Sequence, residues 1–303
     1  MRTQAWGGLI LAVMLGTAAV GQGTTLAGVF GIELTFTPVP PATLEVDTAI
    51  VLALSFAGAE VTSRTQLSLD GLVAEHITMG VNLDGVVLRT GMRFDPCFSL
   101  YWFEVRGGCC PFDLGALFLV ENLAGACQTP DYTIGVVLDL GMRTDLGLAV
   151  RSLTGFGVRD LYHLIDDDPT TGIAAVPGWW FEEELVSLSF TTSCFRADSV
   201  LLFDPVGFAW GQFVAAYRFP SPEVEMGAGV RLDAGLALDW AELFLGLAID
   251  PVTLRSATTF DLLGFVAQEV EVSVAFSGVR LYSRTRFDFT GLLQEVIGFT
   301  LTF

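Results

Sequence analysis

The stretch Ile297-Gly298-Phe299-Thr300-Leu301-Thr302-Phe303 decides how this chain is read. Apolar side chains occupy 297, 299, 301 and 303, with small or polar residues between them. Period-2 alternation predicts a β-strand with one apolar and one polar face. The same pattern continues upstream. A strand over 266–276 sends Val270, Val272, Val274 and Phe276 to one face and Glu269, Glu271 and Ser273 to the other. A strand over 279–289 separates Val279, Leu281, Phe287 and Phe289 from Arg280, Tyr282, Arg284 and Arg286. With a two-residue turn at Ser277-Gly278, Glu271 falls opposite Arg284 and Glu269 opposite Arg286.

Composition narrows the class. The 303 residues are 52% hydrophobic with a mean hydropathy of +0.58, yet the net charge is -19. Beyond the N-terminal stretch, no run approaches the roughly 18 apolar residues of a membrane helix. High apolarity spread as alternation is what a transmembrane barrel requires. All 15 basic residues are arginine. The acidic balance argues against a nucleic-acid partner. Residues 1–21 read as an export signal: Arg2, an apolar core over Leu9–Leu15, and a small-x-small site at Ala19-Val20-Gly21. The mature domain is then 22–303. No cysteine stands directly after the cleavage site, the first being Cys97, so no lipoprotein anchor is expected. The five cysteines, Cys97, Cys109, Cys110, Cys127 and Cys194, match no zinc spacing, and no metal or cofactor is expected.

A strand that closes on a terminal Phe resembles the C-terminal signature of bacterial outer-membrane β-barrel proteins. The resemblance implies that Phe299, Leu301 and Phe303 form the signal read by the barrel assembly machinery. It also implies an outer-membrane location, a surround of outer-membrane lipid and porin-like passage of small solutes. Eighteen candidate strands fill residues 30–303, and the fold class expected is all-β, a transmembrane antiparallel up-and-down β-barrel of about 16–18 strands.

Two internal features support this. Residues 61–95 align without gaps on 254–288, matching Ser63/Ser256, Thr65/Thr258, Gly71/Gly264 and Arg93-Phe94-Asp95/Arg286-Phe287-Asp288. Turn lengths alternate as well. Tight turns near 84–85, 143–144, 220–221, 250–251 and 277–278 fall on the side of the termini, with 107–113 as a longer exception. The segment 159–178, carrying Asp166-Asp167-Asp168, falls on the other side and is expected to be surface-exposed.

Charges within apolar strands must avoid lipid, so the expected lumen-lining residues are Arg64, Arg89, Arg93, Glu269, Glu271, Arg280, Arg284 and Arg286. They fit either a charged filter or salt bridges that rigidify a narrow lumen. Strands apolar on both faces, such as Ala49 to Phe56, fit a channel for hydrophobic solutes, a packed interior, or contacts within a homo-oligomer. His76 and His163 are the only histidines, and no catalytic motif is legible, so no enzyme is expected. The leading expectation is a porin for small solutes or ions. The alternatives are a non-conducting structural or adhesive surface barrel, a hydrophobic-solute transport barrel, and a secreted soluble β-protein.

Overall fold

The structure is a computed structural model. It describes residues 25–38, 42–56, 58–95, 99–109, 111–122, 132–164, 173–220 and 223–303. The export signal over 1–21, Cys97, Cys110, Cys127 and Asp166–Asp168 lie outside the described residues.

The first nine strands are β1 (Thr25–Thr37), β2 (Thr43–Phe56), β3 (Ala59–Ser68), β4 (Gly71–Leu83), β5 (Val86–Phe94), β6 (Ser99–Cys109), β7 (Phe112–Asn122), β8 (Tyr132–Arg143) and β9 (Leu148–Phe156). A short ribbon of β10 (Val158–Arg159) and β11 (Ala174–Ala175) follows, with a 3-10 turn over Leu161–Leu164 between them. The second half comprises β12 (Phe181–Thr191), β13 (Phe195–Asp204), β14 (Gly207–Pro220), β15 (Glu223–Asp233), β16 (Leu238–Ile249), β17 (Val252–Asp261), β18 (Gly264–Phe276), β19 (Val279–Asp288) and β20 (Gly291–Thr302).

Apart from the ribbon, every strand pairs antiparallel with its neighbours in chain order. β9 pairs directly with β12, and β20 returns to β1. The result is a closed up-and-down barrel of 18 strands, the upper end of the expected range. Strands of 9 to 14 residues match the length that crosses a bilayer when tilted. The start of β1 and the end of β20 lie at one end of the barrel, called terminal here. The other end is called distal.

The seam between β20 and β1 runs from Val29↔Thr302 to Phe36↔Glu295. Phe303 extends it. Its N–H donates to the Gly28 carbonyl at 3.0 Å, and the Gly28 N–H donates to the Phe303 carbonyl at 2.9 Å. The ring lies over Gly28, where an added Cβ would sit 2.4 Å from it. Glycine therefore makes room for the terminal aromatic.

One turn differs from expectation. Residues 107–113 read as a long turn, but β6 runs to Cys109 and β7 starts at Phe112, with Gly107↔Leu114 and Cys109↔Phe112 in register. Ladder pairing with the neighbouring strands overrides the turn-like composition of Gly107-Gly108-Cys109-Cys110-Pro111. At the distal end, Asp204, Asp261 and Asp288 each accept turn N–H bonds, from Val206 (2.8 Å), Leu263 (2.7 Å) and Thr290 (2.6 Å). This explains why Phe203-Asp204, Phe260-Asp261 and Phe287-Asp288 recur at strand ends.

The repeat is structural. β3–β5 and β17–β19 occupy equivalent hairpins, with bulges at Gln66/Leu67 and Thr259/Phe260. The structure adds a third copy. Ser283, Thr285 and Glu295 have the spacing of Ser63, Thr65 and Glu75 and of Ser256, Thr258 and Gln268. The Ser63 and Thr65 hydroxyls donate to the Glu75 carboxylate at 2.6 and 2.5 Å, and Ser283 and Thr285 donate to Glu295 at 2.6 Å each. Gln268 Nε2 donates to Ser256 Oγ at 3.1 Å. These clasps lie on the convex face among apolar neighbours such as Leu281 and Ile297.

Two outcomes follow. Gly28→Val or deletion of Phe303 is expected to open the seam and lower the temperature at which the barrel loses its heat-modifiable electrophoretic form. An unchanged transition would contradict the seam packing. Ser283→Ala with Thr285→Val leaves the Glu295 carboxyl without donors, at a cost of about 1–3 kcal/mol. Glu295→Gln copies Gln268 and is expected to be near neutral in urea unfolding from lipid vesicles. Equal damage from both changes would count against the clasp.

Candidate lumen and its infolded segment

Alternation assigns every strand residue to the concave or the convex face of the closed sheet. Every arginine carried by a described barrel strand falls on the concave face. Arg64, Arg89, Arg93, Glu269, Glu271, Arg280, Arg284 and Arg286 are all among these concave residues. The convex face carries the exposed large apolar side chains, including Phe103, Leu114, Phe118, Leu140, Leu243 and Leu301. Arginine inside and an outside that is mainly apolar, with the Glu75 and Glu295 carboxylates there held by hydroxyl donors, is the arrangement that lipid demands.

The register places Glu271 opposite Arg284 and Glu269 opposite Arg286. A row of alternating sign crosses the interior: Arg218↔Glu225↔Gly246↔Arg255↔Glu271↔Arg284. The contacts within it run diagonally. Arg280 donates to Glu271 at 2.8 Å, and Arg284 lies 3.9 Å from Glu33 across the seam. Tyr282 also reaches Glu33, its hydroxyl donating at 2.7 Å. On the opposite wall Asp139 receives both Arg106 (3.1 Å) and Arg151 (2.9 Å), and Arg106 also meets Glu104 at 2.9 Å. His76 is buried on the concave face, directly between Arg64 and Arg93 in register.

The segment after β9 is the main correction. Its composition and the turn parity predict surface exposure, but its described parts fold into the barrel. Val158, Leu161, Leu164, Ile173 and Ala175 are buried. Apart from Ala175, they form one cluster with Leu100, Trp102, Leu119, Val137, Leu153 and Leu185 from the concave wall. The wall supplies polar holds as well. Glu121 accepts the Ala175 N–H at 2.6 Å in a buried site, Glu183 accepts the Leu161 N–H at 3.1 Å, and Arg151 donates to the Leu164 carbonyl at 3.3 Å. Tyr162 stacks edge-on against Trp210, with ring centroids 5.4 Å apart, and the Arg231 guanidinium lies over the Trp210 ring at 4.2 Å. The approach requires Gly135: a Cβ there would lie 2.2 Å from Val158 Cγ2. The loop-like composition of 159–172 conceals this, and the paired apolar residues Leu161 and Leu164 are the available signal.

Beside the segment, a cavity of about 620 Å³ opens towards the terminal end, between Arg106, Asp139, Arg151 and Tyr162 on one side and Arg196, Asp198 and Gln212 on the other. No group of metal-ligating side chains occurs among the described residues. Phe299, Leu301 and Phe303 lie on the convex face, with Phe299 in edge contact with Phe30 at 6.1 Å.

No protein-family model and no curated protein matches this sequence. Solved structures do match its shape. A mutant of the Rh. blastica porin aligns with TM-score 0.55 at 10% identity, over 92% of this chain and 100% of that one. OccAB3 of Acinetobacter baumannii gives 0.58 at 8%, over 92% and 99%. OccK8 (OprE) of Pseudomonas aeruginosa gives 0.58 at 9%, over 92% and 98%. The fold is thus that of bacterial porin barrels.

Glu121→Ala is expected to release the 173–175 stretch. Losing a buried, charge-assisted hydrogen bond costs about 1.5–3 kcal/mol, so exchange of the Ala175 amide should speed up roughly 10- to 100-fold. Glu121→Gln keeps an acceptor oxygen and should retain most of the protection. Equal exchange in both variants would show that Glu121 does not hold the segment.

Proposed function

We propose that this chain is an outer-membrane channel for passive passage of small polar solutes or ions, narrowed by the segment that follows β9. The observation that carries the reading is the complete partition of strand arginines to the inside of a closed barrel whose outside is mainly apolar. An interior built only for packing would not leave Arg196, Arg218 and Arg280 about half-exposed on its concave face. The cavity beside the infolded segment supports a residual path on its terminal side. The fold likeness to porins agrees with this reading. The export signal, the assembly role of Phe299, Leu301 and Phe303, and a periplasmic terminal end belong to the same proposal. A second reading, a barrel shut by its segment that acts only as a surface structure, is favoured by the dry cluster around Leu119, Leu153 and Leu185.

Planar-bilayer recording separates the two. A channel shows discrete conductance steps, and Arg284→Glu changes its wall by two charges. At about 8 Å from a passing ion in water, that shifts cation and anion energies by about 1 kcal/mol in opposite senses, roughly fivefold for each and about 25-fold in the permeability ratio towards cations. A shut barrel shows no steps, and Arg284→Glu lowers only its stability.

A further inference from the structure

The hydroxyl clasps of the convex face have a fourth copy, where β9 meets β12. There the Ser152 hydroxyl donates to the Glu184 carboxylate at 3.1 Å, and Thr154 stands opposite Glu184 in register. In every copy the next strand places a phenylalanine directly opposite the acid or amide. Phe94 faces Glu75, Phe203 faces Glu184, Phe287 faces Gln268 and Phe36 faces Glu295. The copies on β3/β4, β9/β12 and β17/β18 are six strands apart in the 18-strand barrel, and the one on β19/β20 lies two strands further on. They are spread around the circumference, so one partner subunit could not cover them. The surrounding lipid can.

The copies also share a depth. Glu75, Gln268 and Glu295 each lie four residues beyond the glycine that opens their strand. Gln268 and Glu295 lie eight residues from Phe276 and Phe303 at the terminal rim. Along a strand tilted by about 40°, that separation rises about 20 Å, against an apolar band about 25 Å tall. The clasps thus sit near the distal edge of the band, where acyl chains give way to lipid polar groups.

Charge then decides the ligand. Among the described residues, Glu75, Glu184 and Glu295 are the carboxylates that barrel strands carry on the convex face away from their ends. Every strand arginine is concave, so no basic side chain offsets them there. A carboxylate has about four acceptor sites. Hydroxyl donors fill two at Glu75, two at Glu295 and one at Glu184. We infer that each of these three clasps holds the ammonium group of a phospholipid headgroup, which donates N–H bonds to the open side of the carboxylate beside the phenylalanine ring. One carboxylate alone is a poor site for a divalent metal, which takes several oxygen ligands. The Gln268 clasp has the same architecture without the charge and is a built-in control. The inference needs the barrel in lipid and holds whether or not the lumen conducts.

The test counts bound lipids by native mass spectrometry. The full chain is reconstituted in phosphatidylglycerol vesicles containing either phosphatidylethanolamine or phosphatidylcholine, then released in detergent. Phosphatidylcholine has a cationic headgroup with no N–H. The expected result is up to three retained phosphatidylethanolamine molecules per barrel, with a roughly fivefold preference over phosphatidylcholine, the strong end of an exposed ion pair. Gln268→Glu should raise the number to four. Glu75→Gln, Glu184→Gln and Glu295→Gln together copy Gln268, keep an acceptor for the hydroxyls and should abolish the preference. No preference in the unaltered protein, no added lipid in Gln268→Glu, or an unchanged preference in the folded triple variant would each overturn the inference. If the triple variant does not fold, the unaltered protein and Gln268→Glu still decide. Retention of phosphatidylglycerol that requires Mg²⁺ and is lost in EDTA would assign the clasps to a metal bridge and overturn it too. A chain that inserts in none of these vesicles would instead overturn the membrane reading.

Discussion

Hydrocarbon offers no partner to a backbone N–H or C=O, so each strand in lipid must be paired along both edges. β1 and β20 are the strands that would otherwise be edges, and their mutual pairing removes both. The other features follow from that closure. The barrel has an even number of strands, its first and last strands meet at one end, and turns alternate between ends. The sheet also acquires an inside and an outside that no side chain can change without a register slip. Phe303 and Gly28 add the last two backbone bonds of the seam, with one ring covering them.

Much of this is legible in the sequence because the side-chain period of a strand is 2. The alternation of 266–276 and 279–289, with one two-residue turn, is enough to place Glu271 against Arg284 and Glu269 against Arg286. It is not enough to say which charges touch. Twist offsets opposed side chains, so Arg280 takes Glu271 and Arg284 turns towards Glu33. The 107–113 stretch misleads because Gly, Cys and Pro suggest a loop, while the ladder extends to Cys109 and resumes at Phe112. The infolded segment escapes sequence reasoning for a different reason. Nothing local distinguishes a loop that leaves a barrel from one that enters it. The decision is made by distant residues: Gly135 for space, Glu121 and Glu183 as acceptors, and the apolar concave patch of β6 to β9.

That patch also accounts for β7, which carries apolar side chains on both faces. Leu117 and Leu119 point inward beneath the segment, while Phe118 and Leu114 point outward. Here double-sided apolarity marks the wall that the segment covers. The likeness to porins at about a tenth of sequence identity fits this account, since closure, alternation and turn parity constrain residue class and leave residue identity free.

The most direct test of the account is the phase of alternation along β19 in lipid. Spin labels placed singly at 280 to 287 in reconstituted protein can be probed by collision with oxygen, which partitions into hydrocarbon, and with a water-soluble nickel chelate. The account predicts period-2 behaviour. Positions 281, 283, 285 and 287 should respond to oxygen, and 280, 282, 284 and 286 to the chelate. Absence of the alternation, or its inversion, would contradict a barrel with arginine inside and an apolar wall in lipid.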